Sequence, residues 1–169
     1  VIHAAFAVLL NRMSGATDLV IGTPFAGRGE QSLDDVVGMF VNTLALRTRI
    51  DPSEPFVDLL ARVRNEDLAD MSHTDVAFDN IVARALPKPP TSYNPIYQVM
   101  LAFQDVEFPT LQFDRLTVAP IGEELTSAKV DLQLTLFPND PERDSRGGGM
   151  RAQFLYATDL FDPSTIERL

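Results

Sequence analysis

Residues 37–47 read Val-Gly-Met-Phe-Val-Asn-Thr-Leu-Ala-Leu-Arg, an apolar, β-prone run with two polar side chains, Asn42 and Thr43, at its centre. A run of this composition favours an extended strand. A polar group buried in such a strand costs about 1–3 kcal/mol unless a partner satisfies it. The dipeptide therefore marks a strand end, a bulge, or a place where partners arrive from elsewhere. It lies just downstream of a second unusual segment, Val20-Ile21-Gly22-Thr23-Pro24-Phe25-Ala26-Gly27-Arg28.

Around these segments the periodicity alternates between helix and strand. Ile2, Ala5, Phe6, Leu9 and Leu10 recur with helical spacing, which predicts a helix from Val1 to Met13 that stops at Ser14-Gly15. Asp18 to Pro24 reads as a short buried strand, 26–35 as a glycine-rich charged loop, and Val36 to Ile50 as apolar sequence with a strand at its centre. Ser53 is placed to cap the next helix, with Pro55 in its first turn. Its predicted buried stripe is Phe56, Leu59, Leu60, Val63 and Leu68, ending near Asp70. A further helix is expected from about Val76 to Leu86, with Phe78, Ile81, Val82, Ala85 and Leu86 on one face, closed by Pro87-Lys88-Pro89-Pro90.

From Ile96 the period changes to two. Val99, Leu101 and Phe103 alternate with Met100, Ala102 and Gln104, and Leu132, Leu134 and Leu136 alternate with Asp131, Gln133 and Thr135. Leu111 to Val118 reads as an edge or hairpin strand. Met150 to Thr158 reads as a return strand with Ala152, Phe154 and Tyr156 on one side, after a charged loop containing Gly147-Gly148-Gly149. Asp162-Pro163 opens a last helix. The order α-β-β-α-α-β-β-β-β-α predicts an α/β (α+β) sandwich, a mixed β-sheet with helices packed mainly on one face. A chain that starts and stops within helices is expected to be a fragment of a longer one.

The formal charge of −10, from 24 acidic and 14 basic residues, leaves no basic face for nucleic acid. No apolar run approaches the roughly 20 residues of a membrane-spanning helix. The absence of cysteine excludes disulfides and thiolate metal sites and fits a cytoplasmic location. His3 and His73 are the whole stock of near-neutral bases, read as a surface or packing residue and as a helix-opening residue respectively. No spacing of ligands suggests a metal. The glycine-rich segment after Ile21 lacks the Lys-Ser/Thr ending of a phosphate loop, and no Gly-X-Ser-X-Gly elbow supports a catalytic triad. The sequence holds no complete catalytic site.

Several segments together resemble the condensation domains of nonribosomal peptide synthetases. Ser14-Gly15 through Arg28 is similar to that family's "SG" and "IGTPxAGR" segments, and Val37 to Arg47 matches "VGxFVNTxxxR". His73-Thr74-Asp75-Val76-Ala77-Phe78-Asp79 resembles "HQDxPFE", departing at Thr74, Ala77 and Asp79. Ser92-Tyr93-Asn94-Pro95-Ile96 resembles the end of "RDxSRNPL" without its Arg-Asp, and Ser127 to Leu132 and Asp159 to Asp162 also fit.

The resemblance implies the C-terminal lobe (residues 1–169) of a chloramphenicol-acetyltransferase-like domain, the N-terminal lobe and its catalytic "HHxxxDG" motif being absent. No catalytic residue is then expected in this chain, nor any directly bound cofactor. Carrier proteins, donor and acceptor, would bring substrates on phosphopantetheine into a tunnel between the lobes, and an adenylation domain would adjoin. The intact Phe-Val-Asn-Thr argues for peptide-bond formation. On this resemblance Asn42, Thr43 and Gly38 are tunnel-facing candidates. Arg28, Phe40, Arg47, His73, Asp75, Phe78, Asn94, Pro95 and Asp131 are structural motif residues, Arg47 through pairing with an acidic residue. The loop 26–35 is a candidate floor loop, and 120–150 holds a candidate latch. The isolated lobe is expected to be inactive and to self-associate. The altered motifs leave an alternative, a non-catalytic lobe that recruits carrier proteins or tailoring enzymes. A soluble coenzyme A acyltransferase is a third reading of the same fold.

Overall fold

A computed structural model of the chain describes residues 1–29, 31–33, 35–104, 116, 127–138 and 149–169. They divide into two compact units, Val1–Leu101 and Ala102–Leu169.

The first unit contains α1 (Ile2–Ser14), β1 (Asp18–Ala26), a short 3₁₀ turn (Gln31–Leu33), β2 (Val41–Arg49), α2 (Phe56–Met71), α3 (Phe78–Ala85) and the start of β3 (Val99–Phe103). Its strands run in the order β2-β1-β3. β1 and β2 are antiparallel from Asp18↔Arg49 to Ala26↔Val41, whereas β1 and β3 are parallel at Ile21↔Val99 and Gly22↔Met100. The sheet is therefore mixed. Along β2, Leu44, Leu46 and Thr48 are buried while Arg47 and Arg49 are exposed, so one face carries the core. The helices supply the cover: α1 packs on α2 and β1, and α2 and α3 pack on β2.

α1 stops where the sequence says it should. Gly15 takes φ 73°, the left-handed conformation that costs glycine little, and its N–H bonds Asn11 O at 2.8 Å. Its buried face is rotated from the expected stripe, however, to His3, Ala4, Phe6 and Ala7, with Ala5 exposed. The two fully buried alanines let α1 approach closely, and His3 anchors it, as described below.

α2 is not capped by Ser53. The Ser53 N–H and hydroxyl both donate to the Asp51 carboxylate (2.8 and 2.6 Å), which holds Asp51 below its usual carboxylate range. Pro55 occupies the N-cap position, its carbonyl accepting from Asp58 and Leu59. Of the predicted stripe Leu59 and Val63 are buried, Leu60 is half-buried, and Phe56 and Leu68 are exposed. Arg62 ties the helix to the end of β2, donating to Arg49 O (2.6 Å) and pairing with Glu54 (2.7 Å) and Glu66 (3.3 Å). β2, at Val41–Arg49, takes the centre of the apolar stretch 36–50 as expected, while α3 starts at Phe78 rather than about Val76.

The second unit holds the end of β3, β4 (Leu132–Pro138), β5 (Met150–Tyr156) and the single turn α4 (Pro163–Ile166), opened by Pro163 at a position where its missing N–H is harmless. Its strand order is β3-β4-β5. β4 and β5 are antiparallel, with Leu132↔Tyr156, Leu134↔Phe154 and Leu136↔Ala152 facing each other as their period-two pattern requires. Gln104 N–H continues the pairing to Leu136 O at 2.8 Å, and the Arg151 guanidinium lies 4.2 Å from the Phe137 ring centroid. The expected strand at 111–118 lies, except for Leu116, outside the described residues, as do 120–126 and 139–148 of the candidate latch.

Candidate functional site

In the first unit the sequence segments singled out above converge on Asn42, at the start of β2. Its amide nitrogen donates to Thr74 O (3.0 Å) and Val76 O (2.8 Å). Its Oδ1 accepts from the backbone N–H groups of Thr43 (2.9 Å) and Phe78 (3.2 Å). The Phe78 N–H is the first of α3, an orphan donor that no side chain of its own segment caps. Asn42 thus closes the N-terminus of α3 from another strand and holds the turn before it. Its partners come from within the chain. Thr43 alternates with Asn42 along the strand, faces the opposite side of the sheet and is half-buried.

The same helix start leads on to the last motif. The Phe78 ring meets the Tyr97 ring edge-on, centroids 5.3 Å apart at 61°. Tyr97 is 5% exposed and lies across Gly22, where an added Cβ would come within 2.5 Å of the ring. Tyr97 is aimed there by a tight turn at Asn94-Pro95-Ile96: Ile96 takes φ 70°, and Tyr97 N–H bonds Pro95 O at 2.8 Å, two residues back. A β-branched residue rarely adopts this conformation, so surrounding packing must impose it. Asn94 contributes its carbonyl to Gln98 Nε2 at 2.9 Å. Gly22, Asn42, Phe78 and Tyr97 therefore form one connected clasp. Neither Gly22 nor Tyr97 was expected at the site from the sequence. A glycine within an apolar strand was the available signal, since it leaves room for a ring.

Beside it, Arg28 gathers Leu33, Val36 and Phe40. Its guanidinium donates to Leu33 O and to Val36 O (2.9 Å), and stacks 4.3 Å from the Phe40 ring centroid. Gly27 N–H bonds Phe40 O at 2.9 Å, so close that a Cβ on Gly27 would collide with that carbonyl. A Cβ on Gly38 would lie 3.2 Å from the Phe40 ring. With Phe40 held inward, Val37 and Met39 project outward, 99% and 86% exposed. Arg47 makes a bidentate pair with Asp18 (2.8 and 2.7 Å) across β2 and β1. The hydrogen bond from Arg47 holds the Asp18 carboxyl below its ordinary range and raises Arg47 itself. His73 and Asp75 lie exposed in the turn that Asn42 holds. Asp131 lies in the second unit, its carbonyl accepting from Ala157 N–H at 2.9 Å.

His3 is the other histidine. It is buried, its Nδ1 at 2.9 Å from Asp67 and its Nε2 at 3.3 Å from the Thr48 hydroxyl. The neighbouring Asp70 is pushed above its usual carboxylate range, first by burial and then by Asp67 and Glu66. Asp70 therefore takes up its proton more readily folded than unfolded. It costs stability above the raised value, and that cost vanishes below about pH 4, where both states are protonated. Asp70→Asn is expected to raise the thermal midpoint at pH 7, with the gain shrinking on acidification; equal midpoints at pH 7 would refute this. Among the described residues no group of three or more His, Asp or Glu is arranged to hold a metal, and no helix is long and apolar enough to cross a membrane.

A model of the family described as "Condensation domain" matches residues 1–169. The chain belongs to the condensation domain family. It is 39% identical over 168 residues to one of the linear gramicidin synthase polypeptides of Brevibacillus parabrevis, covering 98% of this chain and 2% of that protein. The chain thus spans a small part of the synthetase it matches. Among solved structures it superposes on the four-domain nonribosomal peptide synthetase holo-AB3403 with a TM-score of 0.80 at 26% identity, over 97% of this chain and 13% of that one. It also superposes on the X-domain from teicoplanin biosynthesis, solved in complex with OxyB, with a TM-score of 0.76 at 33% identity, over 98% and 35%. The mixed sheet with its helices is accordingly that of a condensation domain, the chloramphenicol-acetyltransferase-like architecture implied by the motifs.

Proposed function

We propose that this chain is the C-terminal lobe of a peptide-bond-forming condensation domain within a cytoplasmic nonribosomal peptide synthetase. The observation that carries the reading is the family match along all 169 residues; within the first unit, Gly22, Asn42, Phe78 and Tyr97 from four of its segments form one clasp. In the reaction an amine on the acceptor carrier protein attacks the thioester carbonyl on the donor carrier protein. A C–N bond forms, the C–S bond breaks, the phosphopantetheine thiol leaves, and the amine gives up a proton. The base that steers that proton belongs, by the family resemblance, to the N-terminal lobe; in this chain His3 has both ring nitrogens engaged by Asp67 and Thr48. This lobe supplies a tunnel wall at the start of β2, the segment of Gly38, Asn42 and Thr43, whose two polar side chains point to opposite sides of the sheet, and by itself the lobe is inactive. The exposed Val37, Met39 and Val41 belong to a surface that the rest of the domain covers, or that self-associates without it.

The test uses the full condensation domain with separately loaded donor and acceptor carrier proteins, and mass spectrometry of the acceptor. Transfer of the donor acyl group onto the acceptor amine is expected, with none from the 169-residue chain alone. A full domain that transfers nothing would favour a second reading, for which the likeness to the X-domain solved with OxyB speaks. In that reading the lobe recruits a partner protein without catalysis, and binding of the loaded carriers or of a tailoring enzyme would remain.

A further inference from the structure

We propose that Asn42 is a positioning residue for condensation, acting through the turn at 73–76 and the start of α3 rather than by touching substrate. The proposal rests on the condensation activity proposed above. Both ends of the Asn42 amide are occupied. Nδ2 has two hydrogens, and both are directed to carbonyls, Thr74 at 3.0 Å and Val76 at 2.8 Å. Oδ1 has two lone-pair directions, and both receive backbone N–H groups, Thr43 and Phe78. The group's hydrogen-bonding capacity is spent inside the chain, so a substrate amide could bind it only by displacing a bond already made. What the side chain controls is the placement of exposed His73 and Asp75 and of Phe78, whose ring abuts Tyr97 over Gly22. The turn has no other side-chain tether to β2 among the hydrogen bonds of the described residues. Asn42 is what fixes it to the sheet.

The experiment measures Asn42→Ala, Val76→Gly and the double variant in the full condensation domain, with loaded carrier proteins and amide hydrogen exchange over residues 73–80. Val76→Gly loosens the turn while leaving Asn42 in place. The Asn42→Ala variant is expected to lower kcat about tenfold to a hundredfold, as small misplacements near a reacting centre do, with KM for the acceptor carrier little changed. Exchange at Phe78 is expected to accelerate. Val76→Gly should reproduce part of the kcat loss, and the double variant should be no slower than Asn42→Ala, since both act on one element. Should Asn42→Ala fail to fold, Val76→Gly alone decides the matter through its own kcat. A loss of kcat with unchanged exchange at 73–80, additive losses in the double variant, or accelerated exchange with full kcat would each overturn the proposal. A wild-type domain that never condenses loaded carriers overturns the proposed function instead, a result distinct from an active wild type whose variants keep full kcat.

Discussion

Gly22→Ala is expected to destabilise the protein by about 1–3 kcal/mol, the usual cost of forcing extra atoms into a packed site. The new Cβ would lie 2.5, 2.6 and 2.8 Å from three atoms of the Tyr97 ring. A flexible side chain could swing aside. This ring cannot do so cheaply, because it is 5% exposed, held edge-on by Phe78, and delivered by a backbone turn already strained at Ile96. The complementary change, Tyr97→Ala, removes the ring and leaves a cavity over Gly22, expected to cost about 3–5 kcal/mol. The two sites are in direct contact, so their effects must couple. Adding Tyr97→Leu to Gly22→Ala should give a loss smaller than the sum of the two single losses. Urea midpoints at constant slope read all of these values. An unchanged midpoint for Gly22→Ala would mean that the ring does not rest where the structure places it.

Replacing His3 by alanine is expected to cost about 1–3 kcal/mol, through loss of its hydrogen bonds and the stranding of groups that faced it. A carboxylate can only accept, so His3 Nδ1 donates to Asp67, and Nε2 shares a hydrogen bond with the Thr48 hydroxyl at 3.3 Å. Thr48 is 1% exposed, and leaving its hydroxyl without a partner is as damaging as losing the bond itself. The imidazole thereby joins α1 to α2 and to β2. Thermal or urea unfolding of His3→Ala against Thr48→Val checks the arrangement. The histidine change should be the larger, since it breaks both links and the threonine change only one. The order hydroxyl, imidazole, carboxylate is that of a nucleophile, its base and an orienting acid. Burial of Thr48 closes that route, because no substrate carbonyl can reach an oxygen sealed beneath two helices.

The glycine stop of α1, the mixed content of strands and helices, and the facing leucines of β4 were all legible beforehand, because each depends on neighbours a few residues away. A left-handed glycine, a period of two and a proline break act locally, and local physics is written in local sequence. The errors at Ser53, Leu68 and the buried face of α1 share one cause. Each position had a sound local alternative, and the tertiary environment chose between them. Ser53 could cap a helix or close a turn on Asp51. His3 could face water or bridge neighbouring elements, and only the arrival of Asp67 from 64 residues away settled it.

The polar dipeptide in β2 shows the division most directly. Chain chemistry alone called for partners to Asn42 wherever the strand shields it from water, since an unsatisfied amide is costly there. It could not say that those partners would be the carbonyls of Thr74 and Val76 and the first N–H of α3, because loops that bring distant segments together carry no periodic signal. Motif order was enough to reach the family. The assembly of Gly22, Asn42, Phe78 and Tyr97 into one contact was decided by packing, which matches shapes across space and leaves no spacing rule along the chain.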